Sequence, residues 1–372
     1  MKIFPSSSIK KLDAYTIENE PIASIDLMER AATVLTKAIT DRWNTETPVT
    51  IFAGPGNNGG DALAVARMMA EKGYKIEVFL FNTKGELSPD CQTNKELVEM
   101  MEEVKFHEIS TQFVPPVLTP DHLVIDGLFG SGLNKPLSGG FAAVVKYINS
   151  SPAMVVAIDI PSGLMGEDNT HNIRQNIIKA DLTLSIQMPK LSFLFAENAD
   201  VVGEFQLLDI GISREFIESA KTNYYITEAS EMRALIKPRK KFAHKGMFGH
   251  GLLIAGSYGM GGAALLASRA CLRSGIGLLT VHTPVCNHDL LQSNVPEAMV
   301  QDDVHDRCFA EAADLDNFQA VAIGPGLGQE EITVQALFDQ VSNCYIPLVL
   351  DADALNIFSS YRNYLTRIPR HS

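Results

Sequence analysis

Short apolar runs alternate with amphipathic stretches along the first part of the chain. The apolar runs lack the polar–apolar alternation of a half-exposed strand, so they predict strands buried on both faces. These runs are residues 49–53, 75–81, 122–126 and 154–160, with two further strands near 181–187 and 202–210. Helical patterns are found at 9–43 (one or two helices), 60–72, 90–103 and 139–149. Alternation of this length predicts a parallel sheet with helices on both faces.

A second series of the same kind begins after a polar, locally basic segment at 211–248. Its predicted strands lie near 251–255, 276–282, 320–323 and 347–351. We place the domain boundary near residue 222, which gives domains 1–222 and 223–372. The basic run Lys237-Pro238-Arg239-Lys240-Lys241 is predicted to be a solvent-facing linker. Because a doubly wound domain normally has more than four strands, we expect the second domain to be partial.

The amino-acid composition of the chain disfavours some classes of binding partner. The 372 residues are 46% hydrophobic and 20% charged, which is typical of a globular protein. A net charge of −13 without a basic cluster disfavours nucleic acid or an anionic membrane as the main partner. The five cysteines are odd in number and contain no CxxC pair, which argues for a reducing compartment. With no secretory signal pattern and no apolar run of ~20 residues, we expect a cytoplasmic protein.

A glycine-rich loop follows the strand at 49–53. Its sequence is Gly54-Pro55-Gly56-Asn57-Asn58-Gly59-Gly60-Asp61, before a helix predicted to begin near Asp61. The glycine spacing fits GxGxxG, in which the backbone approaches a pyrophosphate at a helix N-terminus. One alternative is a plain turn, with Asn57 and Asn58 in left-handed geometry. Another is a NAD-dependent oxidoreductase, although no acidic residue ends the second strand and Glu77 falls in its middle.

Two more loops follow predicted strands, one starting at Asp126 and one at Asp159. In an open parallel sheet, ligands bind beyond the carboxyl ends of the strands, so Asn58, Asp126, Asp159 and Ser162 are expected to meet there. Carboxylate, amide and hydroxyl oxygens suit a hard cation. Two carboxylates also leave one available for proton transfer. The alternative is that both aspartates are helix caps.

Residues 1 to about 217 resemble the YjeF N-terminal family, the NAD(P)H-hydrate epimerases. The resemblance rests on Leu27-Met28-Glu29-Arg30-Ala31, the glycine loop, Asp126 to Leu133, and Asp159-Ile160-Pro161-Ser162-Gly163; Ala62 replaces the family's common glycine. It implies a Rossmann-like three-layer domain that epimerises NADH or NADPH hydrate at C6 of the nicotinamide ring. The remaining alternative from another class is a non-catalytic dinucleotide-binding module.

The resemblance also implies the roles of particular residues. Asp159 is the expected catalytic acid–base, and Asn58, Asp126 and Ser162 are the expected ligands of a potassium ion. The expected substrate-binding residues are Asn57, Asn58, Gly59, Gly60, Asp61, Gly130, Ser131, Gly132, Leu133, Asn134, Lys135, Pro136 and Asp159.

From about residue 223 the chain resembles the YjeF C-terminal family, the ADP- or ATP-dependent NAD(P)H-hydrate dehydratases with a ribokinase-like fold. The resemblance rests on His244 to Gly251, Gly256 to Ala264, Gly324 to Gly328 and Asp351 to Asn356. It implies that Ala263 and Gly326 touch the hydrate. The absence of GxxxxGK[ST] excludes a P-loop NTPase.

Two motifs of the dehydratase family are not found in residues 357–372. These are its TPHPGE-type segment and its GSGD-type motif with the catalytic aspartate. Because phosphoryl transfer needs groups that bind the nucleotide phosphates and a positioning base, we expect no dehydratase activity from these residues alone. An uncovered apolar face would also favour a homo-oligomer.

Overall fold

The computed structural model describes residues 1–20, 22–236, 238–370 and 372, and it divides into two compact units, Met1–Leu235 and Ile236–Ser372. The strands of the first unit are β1 (Lys2–Ile3), β2 (Val49–Ala53), β3 (Ile76–Phe81), β4 (Val104–Ile109), β5 (Leu123–Gly127), β6 (Met154–Ile158), β7 (Leu182–Ile186), β8 (Glu204–Leu208) and β9 (Tyr224–Tyr225). Its helices are α1 (Ser6–Asn19), α2 (Ser24–Thr40), α3 (Asn57–Ala70), α4 (Pro89–Glu99), α5 (Gly139–Ser150), α6 (Ala199–Val202), α7 (Arg214–Ser219) and α8 (Ala229–Leu235).

The main sheet of the first unit has the order β4-β3-β2-β5-β6-β7-β8, and all of its pairings are parallel. One face is covered by α2 and α3, whose buried side chains pack on β2 and β3. The other face is covered by α5 through Val144, Val145 and Ile148, which join a cluster containing Phe52 and Phe79. The predicted three-layer parallel α/β fold is confirmed.

The strand order reverses between β2 and β5. From β2 the chain continues outward to β3 and β4, and it then returns to place β5 on the other side of β2. In such sheets the crevice between the two strands at the reversal is the usual ligand site, because the loops that leave them run to opposite faces. The glycine loop follows β2, and the Asp126 loop follows β5.

The prediction missed β4, which is the edge strand of this sheet. Its sequence, Val-Lys-Phe-His-Glu-Ile, alternates apolar and polar residues and was not a continuous apolar run. Lys105 and His107 of β4 both contact the Glu77 carboxylate of β3, at 2.5 and 3.0 Å. Glu77 is therefore occupied by a cross-strand ion pair and does not serve as a ribose-binding acid.

The structure divides the chain later than the predicted boundary near residue 222. β9 pairs antiparallel with β1, with Tyr224 opposite Ile3 and Tyr225 opposite Lys2, so the chain remains part of the first unit beyond that point. In the predicted linker, Pro238 to Lys241 are exposed, and Lys237 lies outside the described residues.

The second unit is a smaller parallel sheet with helices. Its strands are β10 (His250–Ile254), β11 (Leu278–Thr283), β12 (Met299–Asp302), β13 (Ala320–Ile323) and β14 (Leu348–Leu350). Its helices are α9 (Gly261–Arg273), α10 (His288–Asn294), α11 (Glu331–Ser342) and α12 (Ala352–Ser360). The strand order is β12-β11-β10-β13-β14, with a reversal between β10 and β13. Four of these strands were predicted; β12 was missed because it is a short, largely exposed edge strand.

Candidate active site

The glycine loop is shorter than predicted, because α3 already begins at Asn57 rather than near Asp61. Asn57 and Asn58 therefore belong to the first helical turn, so the interpretation that they form a left-handed turn is wrong. The first N–H groups of a helix have no acceptor within the helix and carry partial positive charge. This N-terminus lies at the end of β2, beside the strand reversal, where it can bind a phosphate group.

Glycines bring three backbone segments into contact at this point. A Cβ atom at Gly59 would lie 1.8 Å from the carbonyl oxygen of Gly54, and one at Gly54 would lie 1.8 Å from that of Leu128. A Cβ at Gly60 would lie 2.8 Å from the sulfur of Met28. Gly59 and Gly60 are therefore close-packed positions under the loop; their expected contact with the substrate stays a prediction.

We expect Gly59→Ala to destabilise the first unit by about 3 kcal/mol, because the new methyl group would overlap the Gly54 backbone. Gly56→Ala is the matched control, since no atom lies within 4 Å of a Cβ at that position. Chemical denaturation followed by tryptophan fluorescence reports on this unit, because the single tryptophan, Trp43, lies in it. Equal denaturation midpoints for the two variants would contradict the close-packing interpretation.

The Asp126 and Ser162 side chains are fully buried and hydrogen-bonded to each other. Ser162 Oγ donates to Asp126 Oδ1 at 2.6 Å, and the Ser162 N–H donates to Oδ2 at 2.7 Å. Ser162 Oγ also accepts from the Phe129 N–H at 2.8 Å and lies 3.2 Å from the Phe129 carbonyl oxygen. The loops after β5 and β6 are thus joined through one carboxylate. Asp126 binds loop residues and lies within β5, so the helix-cap alternative is wrong for it.

Burial raises the pKa of Asp126 to about 6, although the hydrogen bonds from Ser162 and Leu128 act in the opposite direction. Asn58 lies at the same place: its Oδ1 would be 3.2 Å from a Cβ at Gly130, and its buried Nδ2 has no hydrogen-bond partner in the described structure. The buried Asp126 carboxylate and the unsatisfied Asn58 amide therefore offer polar atoms to a ligand or an ion.

Asp159 directly follows β6 and has a left-handed backbone, with φ +65°. Its Oδ1 accepts from Lys190 Nζ at 2.5 Å and from the Ile186 N–H at 3.2 Å. No described protein group donates to Oδ2. The helix-cap alternative is therefore wrong for Asp159 too. A non-glycine residue in this strained conformation is typical of a functional position.

Lys190 is only 2% exposed and was not among the residues predicted from the sequence. Its ammonium group contacts Asp159 Oδ1, Ser185 Oγ at 3.2 Å and the Met188 carbonyl oxygen at 3.3 Å, so each of its three protons has an acceptor. A lysine is almost never buried without a partner, and no local pattern around residue 190 distinguishes it from an exposed lysine. Only the fold reveals the pair.

A cavity of about 590 Å³ opens above these groups. Its lining includes the predicted residues Asn57, Asn58, Asp61, Gly130, Ser131, Gly132, Leu133, Asn134 and Asp159. The predicted residues Lys135 and Pro136 are not among the residues that line it. Asp126 and Ser162 lie below its floor with no exposed surface. The loops after β2, β5 and β6 therefore meet at one site, as the sequence predicted.

Two further carboxyl groups line the cavity, those of Asp13 on α1 and Asp61 on α3. Burial and the nearby Asp159 charge raise the pKa of Asp13 to about 6, while Lys190 opposes the shift. Burial, followed by the charges of Asp159, Asp13 and Asp90, raises the pKa of Asp61 well above its ordinary value. Among the side chains that the structure describes, the three carboxyl groups of Asp13, Asp61 and Asp159 share one buried lysine, Lys190.

In the second unit, the structure brings together the two predicted substrate-binding residues. A Cβ at Gly326 would lie 2.7 Å from the Cβ of Ala263, and the Gly326 carbonyl accepts from Ser257 Oγ at 2.8 Å. These residues follow β13 and β10, the two strands at the reversal. His250 begins β10, and so lies at the opposite strand end.

Comparison with known proteins identifies the family. Residues 24–192 match the YjeF-related protein N-terminus family, and residues 251–369 match the NAD(P)H-hydrate dehydratase family. The chain is 30% identical to the bifunctional NAD(P)H-hydrate repair enzyme Nnr of Moorella thermoacetica, over 98% of this chain and 71% of that protein. The chain belongs to the bifunctional NAD(P)H-hydrate repair enzyme family. The resemblance seen in the sequence is confirmed for both units.

Other members of the repair enzyme family are similarly related. The enzyme of Thermosynechococcus vestitus is 35% identical over 84% of this chain and 61% of its own length. A solved structure of the ADP/ATP-dependent NAD(P)H-hydrate dehydratase from Bacillus subtilis, co-crystallised with ATP and Mg²⁺, is 40% identical over 34% of this chain and 45% of that chain, with a TM-score of 0.31. The cavity residues Asn57 to Asn134 and Asp159 fall within the matched N-terminal segment, whereas Asp13 precedes it. No helix in the described ranges has the length and apolar character needed to cross a bilayer.

Proposed function

We propose that the first unit interconverts the R and S epimers of NADH hydrate and NADPH hydrate at C6, with Asp159 as an acid–base group. The observation that carries this proposal is the Asp159 carboxyl group. One of its oxygens is held by Lys190 and Ile186, while the residue lines a cavity at the strand reversal. Family membership supplies the class of substrate, and the geometry supplies a positioned proton-transfer group.

The two ends of the cavity suit the two ends of a dinucleotide. The N-terminus of α3 and the backbone of the Gly130 loop offer N–H groups to a pyrophosphate. The other end is apolar, with Ile9, Ile186 and Met188 around Asp159, and it suits a nicotinamide ring. Anchoring the phosphates would place C6 beside the carboxyl group.

Inversion at C6 requires the C6–O bond to break and to form again on the other face. The lone pair of the ring nitrogen forms an N1=C6 double bond as the protonated hydroxyl group leaves as water. Water then adds to C6, and its proton passes to a carboxylate. The reaction is redox-neutral and needs only proton transfer at the departing and arriving oxygens.

We further propose a potassium site formed by Asn58, Asp126 and Ser162. The fit rests on the donor set: one buried carboxylate, a hydroxyl, an amide and the adjacent Phe129 carbonyl, all oxygen donors with a single formal charge between them. Among the described residues there is no cluster of three or more acidic, histidine or cysteine side chains of the kind that holds a multivalent metal. A bound cation would neutralise Asp126 and fix the loops that carry Asn58 and Ser162.

We expect epimerisation to depend on potassium. Pure R-hydrate is incubated with the protein, with and without KCl at constant ionic strength, and both epimers are followed by chromatography. The rate above the protein-free background should rise with potassium and saturate, and Asp126→Asn should remove this dependence. Equal rates with and without potassium would refute the cation site, while hydrate binding without any epimer exchange would favour the non-catalytic module.

For the second unit we propose the dehydratase role of its family, in which ADP or ATP drives conversion of S-hydrate to NADH or NADPH. The contact between Ala263 and Gly326 at the strand reversal supports a hydrate site there. The expectation that these residues alone lack this activity stays a prediction, as do the cytoplasmic location and the homo-oligomeric state.

A further inference from the structure

The wall that α1 contributes to the cavity is apolar except for one carboxyl group. Ile9, Leu12 and Asp13 line the cavity from this helix, and Ile9 and Asp13 are four residues apart on the same helical face. Leu12 packs into a cluster with Met188 and Ile212, which fixes the position of the helix. In the described structure the Asp13 carboxyl forms no hydrogen bond. It therefore lines the cavity with no hydrogen-bond partner among the side chains that the structure describes.

The other end of the same cavity also has a sign of a ligand. Asn58 lines the cavity and is only 8% exposed, and its amide nitrogen has no hydrogen-bond partner in the described structure. The residues around Asp13 are those assigned above to the nicotinamide end. Asp13 and Asp159 line the same cavity, and the Asp159 charge raises the pKa of Asp13, so the two carboxyl groups lie near each other.

Epimerisation needs proton transfer on both faces of the ring. Asp159, held by Lys190 at the end of β6, can serve one of these faces. Asp13 comes from α1, on another wall of the same cavity. Resting on the proposed epimerase function, we propose that Asp13 is the second catalytic residue, which exchanges a proton with the C6 oxygen on the ring face opposite to Asp159.

The proton balance closes with these two groups. In one direction, the neutral Asp13 carboxyl protonates the departing hydroxyl group, the C6–O bond breaks, and the ring nitrogen forms the N1=C6 bond. Water then adds to C6 from the other face as the nitrogen lone pair is restored, and its proton passes to the Asp159 carboxylate. The reverse direction starts with Asp13 ionised and Asp159 protonated. Exchange with solvent water interconverts the two forms of the protein.

The two carboxyl groups have different surroundings. Asp13 lies near Asp159, Asp61 and Lys190; burial and the Asp159 charge raise its pKa to about 6, although Lys190 opposes the shift. Asp159 is in direct contact with the ammonium group. Two carboxyl groups in unlike environments are the usual arrangement for an acid and a base in one site.

The test compares four proteins: wild type, Asp13→Asn, Asp13→Glu and Glu18→Gln. Glu18 is an exposed carboxylate on the same helix, so its variant should keep the wild-type rate. We expect Asp13→Asn to lower epimerisation at least ~100-fold, and Asp13→Glu to recover part of that loss. Binding of R-hydrate and the Trp43 fluorescence unfolding curve of Asp13→Asn should stay close to wild type.

A second measurement separates proton transfer from a structural role. In water enriched in heavy oxygen, mass spectrometry follows exchange of the C6 hydroxyl. Asp13→Asn should still exchange oxygen in the epimer whose hydroxyl faces Asp159, while inversion is lost. Wild-type inversion by Asp13→Asn, or loss of binding and exchange together, would overturn the assignment of Asp13 and leave the epimerase proposal intact. Absence of epimerisation in the wild type would overturn both.

Discussion

Asp159→Asn is expected to lower the rate of hydrate epimerisation at least ~100-fold, because the amide cannot exchange a proton with the C6 oxygen. The folded structure can accommodate asparagine at this position. Asparagine is among the few non-glycine residues that tolerate a positive φ, which is +65° here, and its side-chain oxygen can still accept from Lys190. The rate is measured by chromatography of pure R-hydrate in the presence of potassium.

The matched control for this variant is Asp121→Asn. Asp121 is exposed and precedes β5, so it lies at the strand ends opposite to the cavity. The Asp121→Asn variant should epimerise the hydrate at the wild-type rate. Both variants should give the same unfolding curve as the wild type when Trp43 fluorescence is followed. Turnover of R-hydrate by Asp159→Asn at the control rate would exclude Asp159 from the mechanism.

Lys190→Met is expected to destabilise the first unit by about 3–5 kcal/mol, because it leaves the Asp159 carboxylate largely buried without its cation. Ser185 Oγ and the Met188 carbonyl would lose a donor at the same time. Urea denaturation followed by Trp43 fluorescence measures the change in the free energy of unfolding.

The double variant Lys190→Met/Asp159→Asn tests the cause of that loss. Removing the charge of Asp159 as well should restore most of the stability, since the two side chains are in direct contact and their effects are not additive. If the double variant instead loses as much free energy of unfolding as the two single variants added together, the loss comes from side-chain packing. The ion pair then does not stabilise the site.

The start of one helix and the positions of three strands could not be predicted from local sequence. α3 begins at Asn57 because Gly54 and Gly59 pack backbone on backbone, a contact that involves the Leu128 loop more than seventy residues away. β4 and β12 were missed because each is an edge strand with several polar residues and no continuous apolar run. β9 was missed because its two residues pair with the start of the chain.

By itself, the sequence determined the two parallel α/β units and the glycine, Asp126 and Asp159 loops at the strand ends, because buried strands and tight turns have local signatures. Only the tertiary structure revealed Lys190 against Asp159, and Asp13 facing the cavity. These positions carry ordinary lysine and aspartate residues in ordinary local patterns. Their chemistry arises from burial and from neighbours that the folded chain brings from distant positions, and neither is encoded in a short stretch of sequence.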